Sequence, residues 1–412
     1  MKRMLILLMT LSLITACGAR TFSSEQDDSA DQGGEQTDFA SESAEEDNDD
    51  NNDNILDESD DRADVNIPSG LNPFVLAASF LDPNGSLMTI DTGDNNAVGG
   101  PHLLSDSSDT LIRSFIGMLF IVNRGTASVQ TIDPSNYSIV ANFSVGGGSN
   151  PQDINVISSS KAYVSRLDAH LDGNNSDDIK IVNPTTGTEL GSIDLTQYTD
   201  VNGDRLARAG QMVLVGNKLL VLMQDLSLAF QADYPGKVAV IDTNTDKVTK
   251  VIELDGYNPS DITYSPLNDI IYVANTGQMI NFAVDINDDT GGIETIDPVT
   301  FETEGITLDD KNLGGVVSEV RIASDDTAYT FLDFTKIAAF DPVDMTAINS
   351  AVYVSPGFFL PDFTLDRGGN ILIAETDFND PGIVFVDGES WQVDSGPIAV
   401  GAPPTSLTFL SE

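Results

Sequence analysis

The feature that most constrains this chain of 412 residues is a repeat. Seven times between Ser86 and Asp387 a short apolar strand runs into an acidic or amide turn residue: Asp91, Asp133, Asn183, Asp242, Asp297, Asp341 and Asp387. Each follows Ile, Val or Phe, and four precede Pro, which donates nothing to a ladder and pre-sets a turn. The spacing runs from 42 residues (Asp91 to Asp133) to 59 (Asn183 to Asp242). A period of this length holds about four strands. Such a unit cannot bury both of its own faces, so it must stack on copies of itself.

The ends of the array predict how it closes. Pro73 to Phe80 reads as a second strand with no first strand before it, and Pro404 to Leu410 reads as a first strand with nothing after it. Joined in one unit they complete a ring of seven with no open edge. The expected fold is therefore all-β: a seven-bladed β-propeller of four-stranded antiparallel blades over 67–412, closed by pairing the N- and C-terminal strands in one blade.

The repeat carries a resemblance in its detail. Asn258-Pro259-Ser260-Asp261-Ile262, then Tyr272-Val273-Ala274-Asn275, then Ile293 to Asp297 resembles the YVTN-type propeller repeat. Asn150-Pro151-Gln152-Asp153-Ile154 followed by Ala162-Tyr163-Val164-Ser165, and Val238-Ala239-Val240-Ile241-Asp242 leading to Gly256, match in part. The match is weakest over 110–120 and 314–334. It implies architecture only, since propellers of this type share no single activity.

The first residues suggest an address. Lys2 and Arg3 precede an apolar run, Met4 to Ile14, too short to span a bilayer and of the length of a secretion signal. Leu13-Ile14-Thr15-Ala16-Cys17 resembles the bacterial lipobox, which implies cleavage before Cys17, the sole cysteine, and acylation of that residue. The reading is a signal peptide at 1–16 and attachment to the lipid membrane through Cys17. Gly18, where Asp would signal inner-membrane retention, implies a bacterial outer membrane on its periplasmic or extracellular side. With one Cys there is no intramolecular disulfide.

Residues 21–66 hold 18 acids against one base, Arg62, with scarcely an aliphatic residue before Ile55. Such composition cannot bury enough surface to offset ordering, so 17–66 reads as a lipidated Cys and a disordered acidic tether, spanning about 35–40 Å if it behaves as a neutral coil. Of the 65 acids and 19 bases in the chain, 47 and 15 fall from Ile67 onward, leaving the folded part at −32. That surface repels phosphate backbones, so nucleic acid is not an expected partner. It favours cations or basic partners, or serves solubility alone.

Loop length distinguishes the two faces. In a four-stranded meander the second-to-third-strand loops and the blade-to-blade connections share a face. The long insertions, 167–178, 196–208, 225–236 and 276–291, with a smaller one at 377–382, all fall there. They make that face the candidate recognition surface for an unknown protein or small molecule, with Asp168, His170, Tyr198, Arg205, Phe230, Tyr234 and Phe282 as its distinctive residues. Drift in tolerant loops is the alternative. The same loops space oxygens at alternate positions: Asp172, Asn174 and Asp178; Asp200, Asn202 and Asp204; Asp285, Asn287 and Asp289. Ca²⁺ takes six to eight oxygens, so these are candidate calcium ligands, although none completes an EF-hand loop and Asp and Asn are also ordinary turn residues.

Catalytic equipment is sparse. The chain has two histidines, His102 and His170, no G-x-S-x-G elbow, and an S-x-x-K spacing at Ser158 and Lys161 that falls on an expected hairpin turn. The reading is a monomeric binding module. The alternative is a calcium-dependent propeller enzyme such as a lactonase-like hydrolase, which would need acids and amides from several blades to converge on the central channel.

Overall fold

A computed structural model describes residues 72–79, 82–92, 96–173, 176–199 and 204–411. Cys17 and the rest of 1–66 lie outside them, as do Asn174, Asp200 and Asn202.

Seven four-stranded antiparallel sheets are arranged as blades. The first combines Pro404–Thr408, Phe74–Ala77, Ser86–Asp91 and Ala97–Leu104, from the channel outward. Blade two is Thr110–Phe115, Met118–Asn123, Ser128–Asp133 and Ser138–Ser144. Blade three is Pro151–Ser158, Lys161–Arg166, Asp178–Val182 and Glu189–Asp194; blade four is Ala209–Val215, Lys218–Met223, Pro235–Asp242 and Lys247–Tyr257. Blades five to seven start on the inner strands Pro259–Ser265, Val317–Ile322 and Phe363–Leu365. The closure is as expected: Phe74 pairs with Thr408 and Val75 with Leu407.

The repeat has a physical cause. Six of the seven turn residues close the outer hairpin of their blade by accepting backbone N–H bonds two or three residues on: Asp133 from Ser135 at 2.9 Å, Asn183 from Thr185 at 3.0 Å, Asp242 from Asn244 at 2.9 Å, Asp297 from Thr300 at 2.7 Å, Asp341 from Asp344 at 2.8 Å and Asp387 from Ser390 at 2.7 Å. The Ser390 hydroxyl and backbone N–H on Asp387, and the Thr300 backbone N–H and hydroxyl on Asp297, favour the charged form and hold these two carboxyls below the ordinary range. The strands leading into the turns are buried on both faces because each blade is sandwiched between two others, which is why they read as continuous apolar runs. Seven apolar cores result, one for each blade interface. Tyr163, Ile179 and Ile181 of blade three, for example, pack on Leu219, Val221 and Ala239 of blade four.

Adjacent blades are also tied near the axis. Asp153, Asp261 and Asp362 each accept, at 3.0 Å, the backbone N–H of the next blade's inner strand, from Met212, Val320 and Leu407 respectively. Asp153 and Asp261 are the acids of the Pro-x-Asp-Ile segments. Both described ends of the chain lie on the face opposite the long loops: Asn72 Oδ1 accepts from Thr92 N at 3.1 Å, at the outer hairpin of blade one, and Ser411 O accepts from Gly117 N at 3.0 Å, at the inner hairpin of blade two.

Candidate functional site

The long loops of blades three to five form one lobe, and they do so by consuming their own charges. Arg166, at the end of a blade-three strand, is fully buried and donates to Asp172 at 2.5 Å and to Val145 O at 2.8 Å, while its other terminal nitrogen pairs with Asp178. Arg208 pairs with Asp168, and its guanidinium lies 4.0 Å from the centroid of the Phe230 ring. Arg205 faces Asp225 at 3.5 Å and stacks 3.5 Å from the Tyr234 ring; Lys237 reaches Asp225 at 3.1 Å and Tyr198 O at 2.9 Å. Ala232 bridges to Met279, joining the lobe's blade-four and blade-five loops. Six of the residues expected on a recognition face (Asp168, His170, Tyr198, Arg205, Phe230 and Tyr234) are thus brought together. Phe282 sits at the turn of the small hairpin Met279–Ile280 and Ala283–Val284 in the adjoining loop. Their main work is internal: they fix loops to one another, and Tyr234 leaves half its surface in solvent.

The candidate calcium ligands are held by the protein in the same way. Asp172 and Asp178 share Arg166, and Asp289 pairs with Lys311. Asp285 Oδ1 accepts from both Asn287 N at 3.0 Å and Asn287 Nδ2 at 2.7 Å, closing a turn, and these bonds lower the carboxyl below its ordinary range. Asp204 is exposed beside the undescribed 200–203. Among the described residues no three His, Cys, Asp or Glu side chains converge as metal ligands. His170 Nδ1 lies 3.7 Å from Asp177, and His102 stacks on Tyr137 with Nε2 2.9 Å from Thr89. The Ser158 and Lys161 pair spans a hairpin turn, with Lys161 bonded instead to Thr243 O at 2.8 Å and Asp246 at 2.6 Å.

The convergence that the loops lack occurs in the channel. All seven inner strands line a cavity of about 390 Å³, within the range of small-molecule sites. Arg113 of blade two donates through Nε to Asp153 at 2.8 Å and through Nη2 to Gln211 Oε1 at 2.8 Å. Arg321 of blade six donates to Asp261 at 2.9 Å and also pairs with Glu319. Asp362 is held by Ser406 Oγ at 2.7 Å and by Leu407 N, both on Oδ2. Asn155 completes the polar lining, its buried Oδ1 without a partner. Phe115, Met212 and Leu214 supply an apolar wall.

Burial dominates the electrostatics of this ring. It pushes the Asp153 carboxyl up despite the adjacent Arg113, and pushes Glu319 well above the ordinary carboxylate range despite Arg321. Burial alone would lower Arg321, but Glu319 and Asp261 more than offset it. The result is a desolvated patch of donors and acceptors, rigidly braced by main-chain bonds between blades.

No family model matches the sequence, and no curated protein matches it. Solved structures do. The chain is similar to a putative 6-phosphogluconolactonase from Bacteroides fragilis, at 13% identity and a TM-score of 0.58, over 84% of this chain and 100% of that one. It is also similar to hydrazine synthase from Kuenenia stuttgartiensis, at 13% identity and a TM-score of 0.52, over 80% and 99%. At such identity the likeness is one of fold. With 1306 matching chains the architecture is too widely shared to select an activity.

Proposed function

We propose that this chain is a lipid-anchored binding protein, whose propeller holds a small ligand in its central channel and is displayed from a bacterial outer membrane by acylation at Cys17 and the acidic segment 17–66. The observation that carries the binding reading is the channel itself: seven strands converge on a cavity whose lining is polar, charged and braced, yet contains no His, Cys or Lys to act as base or nucleophile. Acids and amides from several blades do meet there, as a hydrolase would require, but the carboxylates of Asp153 and Asp261 are committed to guanidiniums and to the neighbouring blade. The single feature favouring the hydrolase reading is Glu319, which pairs with Arg321 of the lining and whose carboxyl burial pushes well above the ordinary range.

The anchoring part of the proposal is supported by chain direction. Residue 72 enters the fold on the face opposite the long loops, so attachment of a tether from Cys17 would not obstruct the loop lobe. Among the described residues no helix is long and apolar enough to cross a membrane. Cys17→Ser, expressed behind a conventionally cleaved secretion signal so that the apolar run Met4 to Ile14 is removed, should therefore release the protein from the membrane fraction. Tight membrane association of the Cys17→Ser protein refutes the anchor.

A further inference from the structure

The channel is more specific than its polarity suggests. Three carboxylates line it, Asp153, Asp261 and Asp362, against two guanidiniums, Arg113 and Arg321. Arg113 is matched to Asp153 and Arg321 to Asp261. Asp362 makes no direct ion pair among the described residues, and Arg113 and Arg321 act on it only at longer range. Its neighbours Ser406 Oγ and Leu407 N are both on Oδ2, which leaves Oδ1 to the cavity. Across the channel Asn155 is 5% exposed and its Oδ1 has no donor. Both of these unfilled valences are acceptors. An unpaired buried acceptor is costly, and a third carboxylate among two guanidiniums adds an excess negative charge, the signature of a group completed by a ligand.

We infer that the channel binds a small organic cation, seated through an ammonium group on Asp362. An ammonium brings three donors and no acceptor, the complement of what the lining leaves open. An anion is disfavoured, because both guanidiniums are engaged and the folded part carries −32. A divalent metal is disfavoured because no three of its usual ligands converge among the described residues, whereas calcium takes six to eight oxygens. The apolar wall of Phe115, Met212 and Leu214 suits an aliphatic stem behind the charged head. The excess negative surface would concentrate such a ligand near the molecule.

This inference rests on the channel being the binding site, and one titration separates the two claims. The full chain, purified in detergent, is titrated calorimetrically with putrescine, with the neutral polyol xylitol and with the dianion glutarate, each at physiological ionic strength. Putrescine is expected to bind, Asp362→Asn to weaken it by at least about tenfold, and Asp344→Asn, an exposed turn acid, to leave it unchanged. Asn at 362 can still accept from Ser406 and Leu407, so the fold should survive; Asn155→Leu, which removes the second acceptor, should weaken binding independently. Putrescine binding that is indifferent to both variants, or reproduced by magnesium at equal charge, overturns the inference. Xylitol or glutarate binding that depends on Asp362 or Asn155, without putrescine binding, overturns the cation and keeps the channel. Binding of none of the three removes both.

Discussion

Arg166→Met tests the reasoning about the loop lobe most severely. Arg166 is fully buried, and its partners Asp172 and Asp178 have side chains 3% and 4% exposed. Met fills a similar volume without charge, so the substitution removes the cation that Asp172 and Asp178 share in a dry site and takes one of two donors from Val145 O, which keeps Ser149 Oγ at 3.3 Å. Removing one member of a buried ion pair costs about 3–5 kcal/mol, a large share of the roughly 5–15 kcal/mol that holds a typical domain folded. The second stranded carboxylate does not double this, because the two share one cation and a single proton or a small opening of the loop relieves both. Urea unfolding followed by circular dichroism and by the fluorescence of Trp391, the sole tryptophan, measures the loss. Lowering the pH should return part of it, since protonation neutralises a stranded carboxylate. Adding Asp172→Asn and Asp178→Asn should return most of it. A loss below about 1 kcal/mol at neutral pH, with no gain on acidification, would refute the claim that the acids of this lobe are held by arginine.

Three further outcomes follow from the same physics. Asp310 is 1% exposed and its carboxyl is pushed up to about 7, first by burial and then by Asp309; a carboxyl raised above its unfolded value costs stability as pH rises from about 4 to 7, so the stability advantage of Asp310→Asn over the wild type should grow by about 2–3 kcal/mol between pH 5 and pH 8.5. Equal melting curves at both pH values would contradict this. Deleting 404–412 removes the inner strand of blade one, exposes the edge of Phe74–Ala77 and strips Asp362 of both hydrogen bonds, so the truncated protein should aggregate or melt far below the full chain; unchanged stability would break the closure argument. Calcium should stabilise the protein no more than magnesium at equal ionic strength, because Asp172, Asp178 and Asp289 already have cationic partners; a calcium-specific shift abolished by Asp285→Ala with Asp289→Ala would restore the loops as a metal site.

The fold was legible because its signal is local and repeated. Asp133, Asn183 and Asp387 mark hairpins by bonds to residues two or three positions away, and the strands before them are apolar on both faces, so period and burial can be read directly. The channel was half legible. Asp153 and Asp261 stand in the Pro-x-Asp-Ile segments and were visible as strand markers, but their bonds to Met212 and Val320 cross to another blade, a distance of 59 residues in each case. Arg113 and Arg321 lie in the two stretches, 110–120 and 314–334, where the repeat is weakest. That coincidence has a reason: positions given over to a site depart from the pattern that stacking alone would maintain. The loop acids read differently along the chain and in space. Asp172, Asp178 and Asp289 have metal-like spacing along the chain, but Arg166 and Lys311, which no spacing rule ties to them, arrive from neighbouring strands and a short helix.

The central claim is that the ligand site of this propeller is its channel, with Asp362 as the open charge. A crystal structure of the chain with putrescine bound tests it most directly. The account predicts ligand density enclosed by the seven inner strands, with one ammonium within hydrogen-bond distance of Asp362 Oδ1 and the aliphatic stem against Phe115, Met212 and Leu214. Density confined to the acidic loops, with the channel holding only water, would contradict it.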